Sequence, residues 1–151
     1  MRFAHWLFIL SLTTGTLTAS ERLAFAQNCS VTTTSISFGV YDVFDTVPLA
    51  STGSLTIRCF WAPTVAVWLG KGNAPTNNPR QMASGANRLS YNLYLDAAHT
   101  AIWGDPSPNH YDTGLVWWRS PATVTIYGLV PAGQDVPAGT YLDTVSVTIN
   151  F

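Results

Sequence analysis

Apolar and polar residues alternate along the last stretch of the chain, Gly139-Thr-Tyr-Leu-Asp-Thr-Val-Ser-Val-Thr-Ile-Asn-Phe151. In an extended backbone Tyr141, Val145, Val147, Ile149 and Phe151 face one side, while Leu142, Thr144, Ser146, Thr148 and Asn150 face the other. Leu142 and Asp143 alone interrupt the alternation. This is the pattern of a strand with one face for a core and one for water. The sequence ends on this strand, so its edge is expected to stay open to pairing with another chain.

The same period recurs upstream. Cys29 to Phe38 alternates weakly through Val31, Ile36 and Phe38 and predicts a first strand ending at Gly39. Val40 to Ala50 reads as a loop and Gly53 to Cys59 as a second strand, with Leu55, Ile57 and Cys59 inward. Thr64 to Leu69 follows with Val65, Val67 and Leu69 inward. Gly70 to Asn87, with Pro75, Pro79 and Gly85, is expected to be the least regular part. Leu89 to Leu95 resumes strict alternation, and Asp96 to His99 turns. Thr100 to Trp103 and Val116 to Arg119 are short extended pieces. Ala122 to Leu129 points Val124 and Ile126 inward before a Pro- and Gly-containing turn. No apolar residues recur at helical spacing over a useful length. Short strands separated by turns predict an all-β, immunoglobulin-like antiparallel sandwich.

The first residues modify this picture. Arg2, an apolar run from Phe3 to Ala19 and the Ala24-Phe25-Ala26 pattern predict a secretory signal over residues 1–26, with cleavage after Ala26 and a weaker rival site after Ala19. The exported domain would then span 27–151. A membrane anchor is disfavoured because Thr13, Thr14, Gly15 and Thr16 interrupt the run. The whole chain has seven basic and eight acidic side chains; subtracting Arg2, Arg22 and Glu21 leaves five and seven, a net charge of −2. So charge-poor a domain has no basic patch for phosphates, and nucleic acid is not an expected partner. After export nothing is left to hold a membrane. Cys29 and Cys59 both fall in the exported part, where two thiols without further ligands predict one structural disulfide rather than zinc.

Little here reads as catalytic chemistry. Gly70-Lys71-Gly72 lacks the spacing of a phosphate loop and reads as a flexible turn. His99, His110, Asp105 and Asp112 are ordinary turn residues as readily as a metal or acid–base cluster. There is no nucleophile elbow, and no catalytic residue, cofactor or metal is expected. Trp61, Trp103, Trp117 and Trp118 fall at predicted loops or strand ends. They carry two readings, caps on the ends of a small core or a surface that stacks on a ligand.

One combination of residues is far more specific. Cys29, Phe38-Gly-Val-Tyr-Asp42, Thr52-Gly53, Cys59, Leu69-Gly-Lys-Gly72 and Arg80-Gln-Met82 occur in order. Leu89-Ser-Tyr-Asn-Leu-Tyr-Leu-Asp96, Trp103-Gly-Asp105, Tyr127-Gly128, Pro131-Ala-Gly-Gln134 and Gly139-Thr-Tyr-Leu-Asp143 continue the series. This pattern resembles the spore coat protein U domain family, the subunits of archaic, Csu-type chaperone–usher pili. The resemblance implies a sandwich lacking its final strand, which a periplasmic chaperone and then a neighbouring subunit would supply. It implies a non-enzymatic pilus subunit serving adhesion or biofilm formation, exported to the periplasm and then the cell surface. Its partners would be the chaperone, an outer-membrane usher and other subunits, meeting it along the edge of Tyr141, Val145, Val147, Ile149 and Phe151. Fibre-building members carry a donor segment before the first cysteine, and Gln27-Asn28 is too short for one, so a position at a fibre end is expected. The alternatives are a spore or cyst coat protein, or a free secreted carbohydrate-binding module using its loop tryptophans.

Overall fold

The computed structural model describes residues 29–62, 64–104 and 109–150, apart from the side chain of Trp61. Among these residues ten strands follow one another: β1 (Cys29–Thr34), β2 (Leu49–Cys59), β3 (Trp61–Ala62), β4 (Ala66–Leu69), β5 (Arg80–Ser84), β6 (Asn87–Tyr94), β7 (Tyr111–Asp112), β8 (Val116–Trp117), β9 (Ala122–Val130) and β10 (Val147–Asn150). No helix occurs among the described residues. One sheet has the order β1-β2-β9-β6-β5, a second the order β10-β4-β7, and β3 pairs with β8 at one end. Every pairing is antiparallel.

The two main sheets share one core, because their strands keep the period of two. Leu55 and Ile57 of β2, Val124 and Ile126 of β9, and Leu89, Tyr91 and Leu93 of β6 form one wall. Val67 and Leu69 of β4 are buried opposite them. β10 continues that wall, with Val147 beside Leu69 and Ile149 beside Val67. This is an immunoglobulin-like sandwich whose second sheet stops, among the described residues, at β10. The disulfide joins Cys29 to Cys59, which are also directly paired across the β1–β2 ladder.

Three expectations from the sequence need correction. The first strand ends at Thr34 rather than Phe38, because Ile36 and Phe38 leave the ladder and fold over the sheet. They find room there because Gly53 and Gly128 have no side chains. A Cβ on Gly53 would come within 2.7 Å of Ile36 and 2.8 Å of the Thr34 carbonyl, and one on Gly128 within 2.7 Å of Phe38. The supposedly irregular region contains β5, paired with β6 through the turn at Gly85-Ala86. The last strand is shorter than its pattern. Only Val147–Asn150 pairs continuously, although the alternation of half-buried and exposed residues runs unbroken from Tyr141 to Asn150.

Candidate functional site: an open edge beside an apolar groove

The C-terminal segment meets the rest of the molecule in two places. At its far end β10 hydrogen-bonds to β4 alone among the described residues. At its near end Leu142 exchanges two backbone bonds with Ala83 of β5, at 2.8 and 3.0 Å. The segment thus crosses from one sheet to the other. Tyr141, Val145, Val147 and Ile149 pack, partly buried, against the core, while Phe151 lies outside the described residues.

Asp143 fixes the crossing, which explains why an acid interrupts an otherwise apolar row. Its carboxylate accepts hydrogen bonds from the Tyr91 hydroxyl at 2.7 Å and from the backbone N–H of Asn73 and Thr144, each at 2.8 Å. Burial, reinforced by this bond to Asp143, pushes the Tyr91 hydroxyl well above the ordinary phenol range. Arg80, wholly buried, lies in the same electrostatic field. Its Nε donates to the Gly70 carbonyl at 2.8 Å, and one Nη donates to the carbonyls of Leu69 and Trp103 at 3.0 and 2.6 Å. Burial holds the guanidinium below its usual value, with Tyr91 and Asp143 opposing the shift. Arg80 therefore ties β5 to the end of β4, and Asp143 ties the crossing segment to β6.

Between the crossing segment and the strap that follows β1 lies an apolar groove of about 870 Å³. Ile36, Phe38 and Tyr41 form part of one wall, Val136 and Tyr141 part of the other, and Met82, Leu89 and Val130 lie among the lining residues. The walls are braced rather than loose. The Tyr41 hydroxyl donates to the Pro131 carbonyl at 3.1 Å and accepts from the Gln134 N–H at 2.8 Å, and Phe38 meets Tyr91 edge-on at 6.0 Å. The Tyr141 hydroxyl donates to the Pro137 carbonyl at 2.8 Å. The groove offers a hydrophobic channel at the near end of the segment, and β10 offers unpaired strand backbone at its far end.

The tryptophans separate. Trp103 is completely buried, and its indole N–H donates to the Val67 carbonyl at 2.9 Å, so it is a core residue and no surface platform. Trp117 and Trp118 stay about half exposed, and the backbone of Trp61 pairs with that of Trp117. His99 packs edge-on against Tyr94 and Tyr127, while His110 stacks on Trp68 and lies 3.1 Å from Asp112. Asp105 lies outside the described residues, and no metal-ligating group of three occurs among the described ones. The groove's near wall was missed as a site because Phe38 and Tyr41 sit in what reads as a strand end and a polar loop. Arg80 was missed because a lone arginine in a Pro- and Asn-rich stretch looks like solvent-facing charge.

Comparison with known proteins matches residues 13–148 to the Spore Coat Protein U domain. The chain is 39% identical over 131 residues to "Protein U" of Myxococcus xanthus, covering 77% of this chain and 71% of that protein. Its fold is similar to a chain in the crystal structure of the CsuC-CsuE chaperone-tip adhesion subunit pre-assembly complex from the archaic chaperone-usher Csu pili of Acinetobacter baumannii. The TM-score is 0.62 with 25% identity over 83% of this chain, which spans 40% of the length of the chain it matches there.

Proposed function

The chain belongs to the spore coat protein U domain family, and from that premise we propose that it is a non-enzymatic subunit of a chaperone–usher surface fibre. Its leader, residues 1–26, directs export, and the domain from 27 onward is held in the periplasm by a chaperone before an usher passes it into the fibre. The fibre serves adhesion or biofilm formation. The observation that carries this reading is the open edge of β10, which pairs with β4 alone among the described residues, on a segment whose near end at Tyr141 and Leu142 lines an apolar groove. A partner's extended segment laid against β10 satisfies the free backbone groups and buries alternate side chains against the core. Tyr141, Val145, Val147, Ile149 and Phe151 form the receiving edge. The resemblance to a chaperone–subunit complex supports the same reading.

Co-expression in the periplasm with a chaperone of a chaperone–usher system tests it. The wild-type chain should co-purify with the chaperone, and Ile149→Asp should abolish the complex by placing a charge on the receiving face. A wild-type chain that accumulates as a stable monomer, with β10 amides protected from exchange and no chaperone bound, would overturn the proposal.

A further inference from the structure

The end of the sandwich formed by β3 and β8 carries a second surface. Trp117 and Ser120 close a tight turn through two backbone bonds of 3.1 and 2.9 Å, with Trp118 and Arg119 at its centre. Phe60 directly precedes Trp61, whose backbone pairs with that of Trp117, and so lies at the turn's end of the β3–β8 ladder. Phe60 is 71% exposed, Leu115 58%, Trp117 47% and Trp118 48%, so the short β3–β8 ladder and its turn carry four large apolar side chains open to solvent. Isolated exposed apolar residues are ordinary, but a cluster of them marks a contact surface. The Arg119 guanidinium lies 4.7 Å from the centre of the Trp118 ring.

Charge narrows what this surface can take. Arg58 lies two residues before Phe60 and Arg119 follows Trp118, and residues 46–95 and 113–134 contain no Asp or Glu. Asp112, the nearest acid along the chain, is engaged by His110. Beyond Arg58 the outward face of the large sheet continues in hydroxyls, with Thr56 bonded to Thr123 and Thr34 to Ser54, each at 3.0 Å. The disulfide at Cys59 holds the approach to Phe60 in place.

We propose that this turn binds an acidic polysaccharide whose sugar rings carry carboxylates. The apolar C–H faces of the sugars stack on the open surfaces of Trp117 and Trp118, and the carboxylates take N–H donors from Arg119 and Arg58. Arg119 is pre-oriented for this by its contact with the Trp118 ring. Flanking hydroxyls serve the remaining sugar oxygens. An anionic bilayer is the less suitable occupant, because surface-bound proteins rely on clusters of cationic side chains and the turn itself carries one, Arg119. The inference is independent of how the subunit is assembled.

The test is a tryptophan-fluorescence titration of the purified protein with oligogalacturonate, a neutral galactan and phosphatidylglycerol vesicles, each at low and high salt. Saturable binding of oligogalacturonate that weakens with salt is expected, with the galactan binding weakly. Trp118→Ala should weaken oligogalacturonate binding about tenfold by removing a stacking face. Arg119→Gln keeps the apolar surface and should bring oligogalacturonate down to the level of the neutral galactan. Oligogalacturonate binding that is absent, or unchanged in both variants, overturns the proposal, as does stronger binding to the vesicles.

Discussion

At the scale of single residues, the most consequential side chains are polar ones inside an apolar frame. Asp143 gathers the Tyr91 hydroxyl and two backbone N–H groups. Asp143→Ala would strand the Asn73 N–H and the Tyr91 hydroxyl, at a cost of about 2–3 kcal/mol measurable by urea unfolding. The same bond predicts an alkaline dependence. The folded state holds the Tyr91 proton above the ordinary phenol range. Its contribution is therefore complete below about pH 10 and is lost as the pH rises beyond that toward the folded value. One of the six tyrosines should show no phenolate absorbance until the protein unfolds, and Tyr91→Phe should remove that delayed step. Phenolate from all six appearing before unfolding would contradict it. None of this network was legible beforehand. Sequence patterning sees Asp143 only as a break in a row and Arg80 only as a charge, because their roles depend on carbonyls and hydroxyls brought from distant strands.

At the scale of elements, alternation was a faithful guide wherever one face of a strand meets the core. The inward sets of β2, β4, β6 and β9 all follow from it, and the disulfide across the β1–β2 ladder is the one expected from the two exported cysteines. It failed where chain geometry rather than side-chain pattern decides. Ile36 and Phe38 continue the alternation of the first strand but leave its ladder, drawn over Gly53 and Gly128 into the groove wall. β5 was hidden because its inward positions are Arg80 and Met82, only one of them apolar, amid turn-forming residues. The glycine seat makes a contrast that can be measured. A methyl group on Gly128 meets the far end of the Phe38 ring, which can tilt away, so Gly128→Ala should cost about 1 kcal/mol. One on Gly53 meets the Thr34 carbonyl of the backbone as well as Ile36, and Gly53→Ala should cost about 2–3 kcal/mol. Thermal unfolding of the two variants reads the difference, and equal costs would show that the strap is not seated in this way.

At the scale of the whole molecule, composition and strand pattern were enough to expect one charge-poor β-sandwich, while the groove needed the three-dimensional meeting of segments about a hundred residues apart. The disulfide belongs to this scale because of where it sits. It encloses a span of 30 residues, and Cys59→Ser should lower stability by about 3–4 kcal/mol in the chain-entropy account, checked by chemical denaturation. Its position matters for a further reason. β1 is an outer strand held to the sheet by β2, and a pull on the chain ahead of Cys29 would by itself peel β1 from that end, opening one backbone bond after another. The covalent link lies at the first pair of the ladder, so tension entering there passes straight into the long β2 at the centre of the molecule. Among the six paired positions from Cys29 to Thr34, none then carries the load alone. For a pull applied at that end, the weak edge strand is removed from the path of the force.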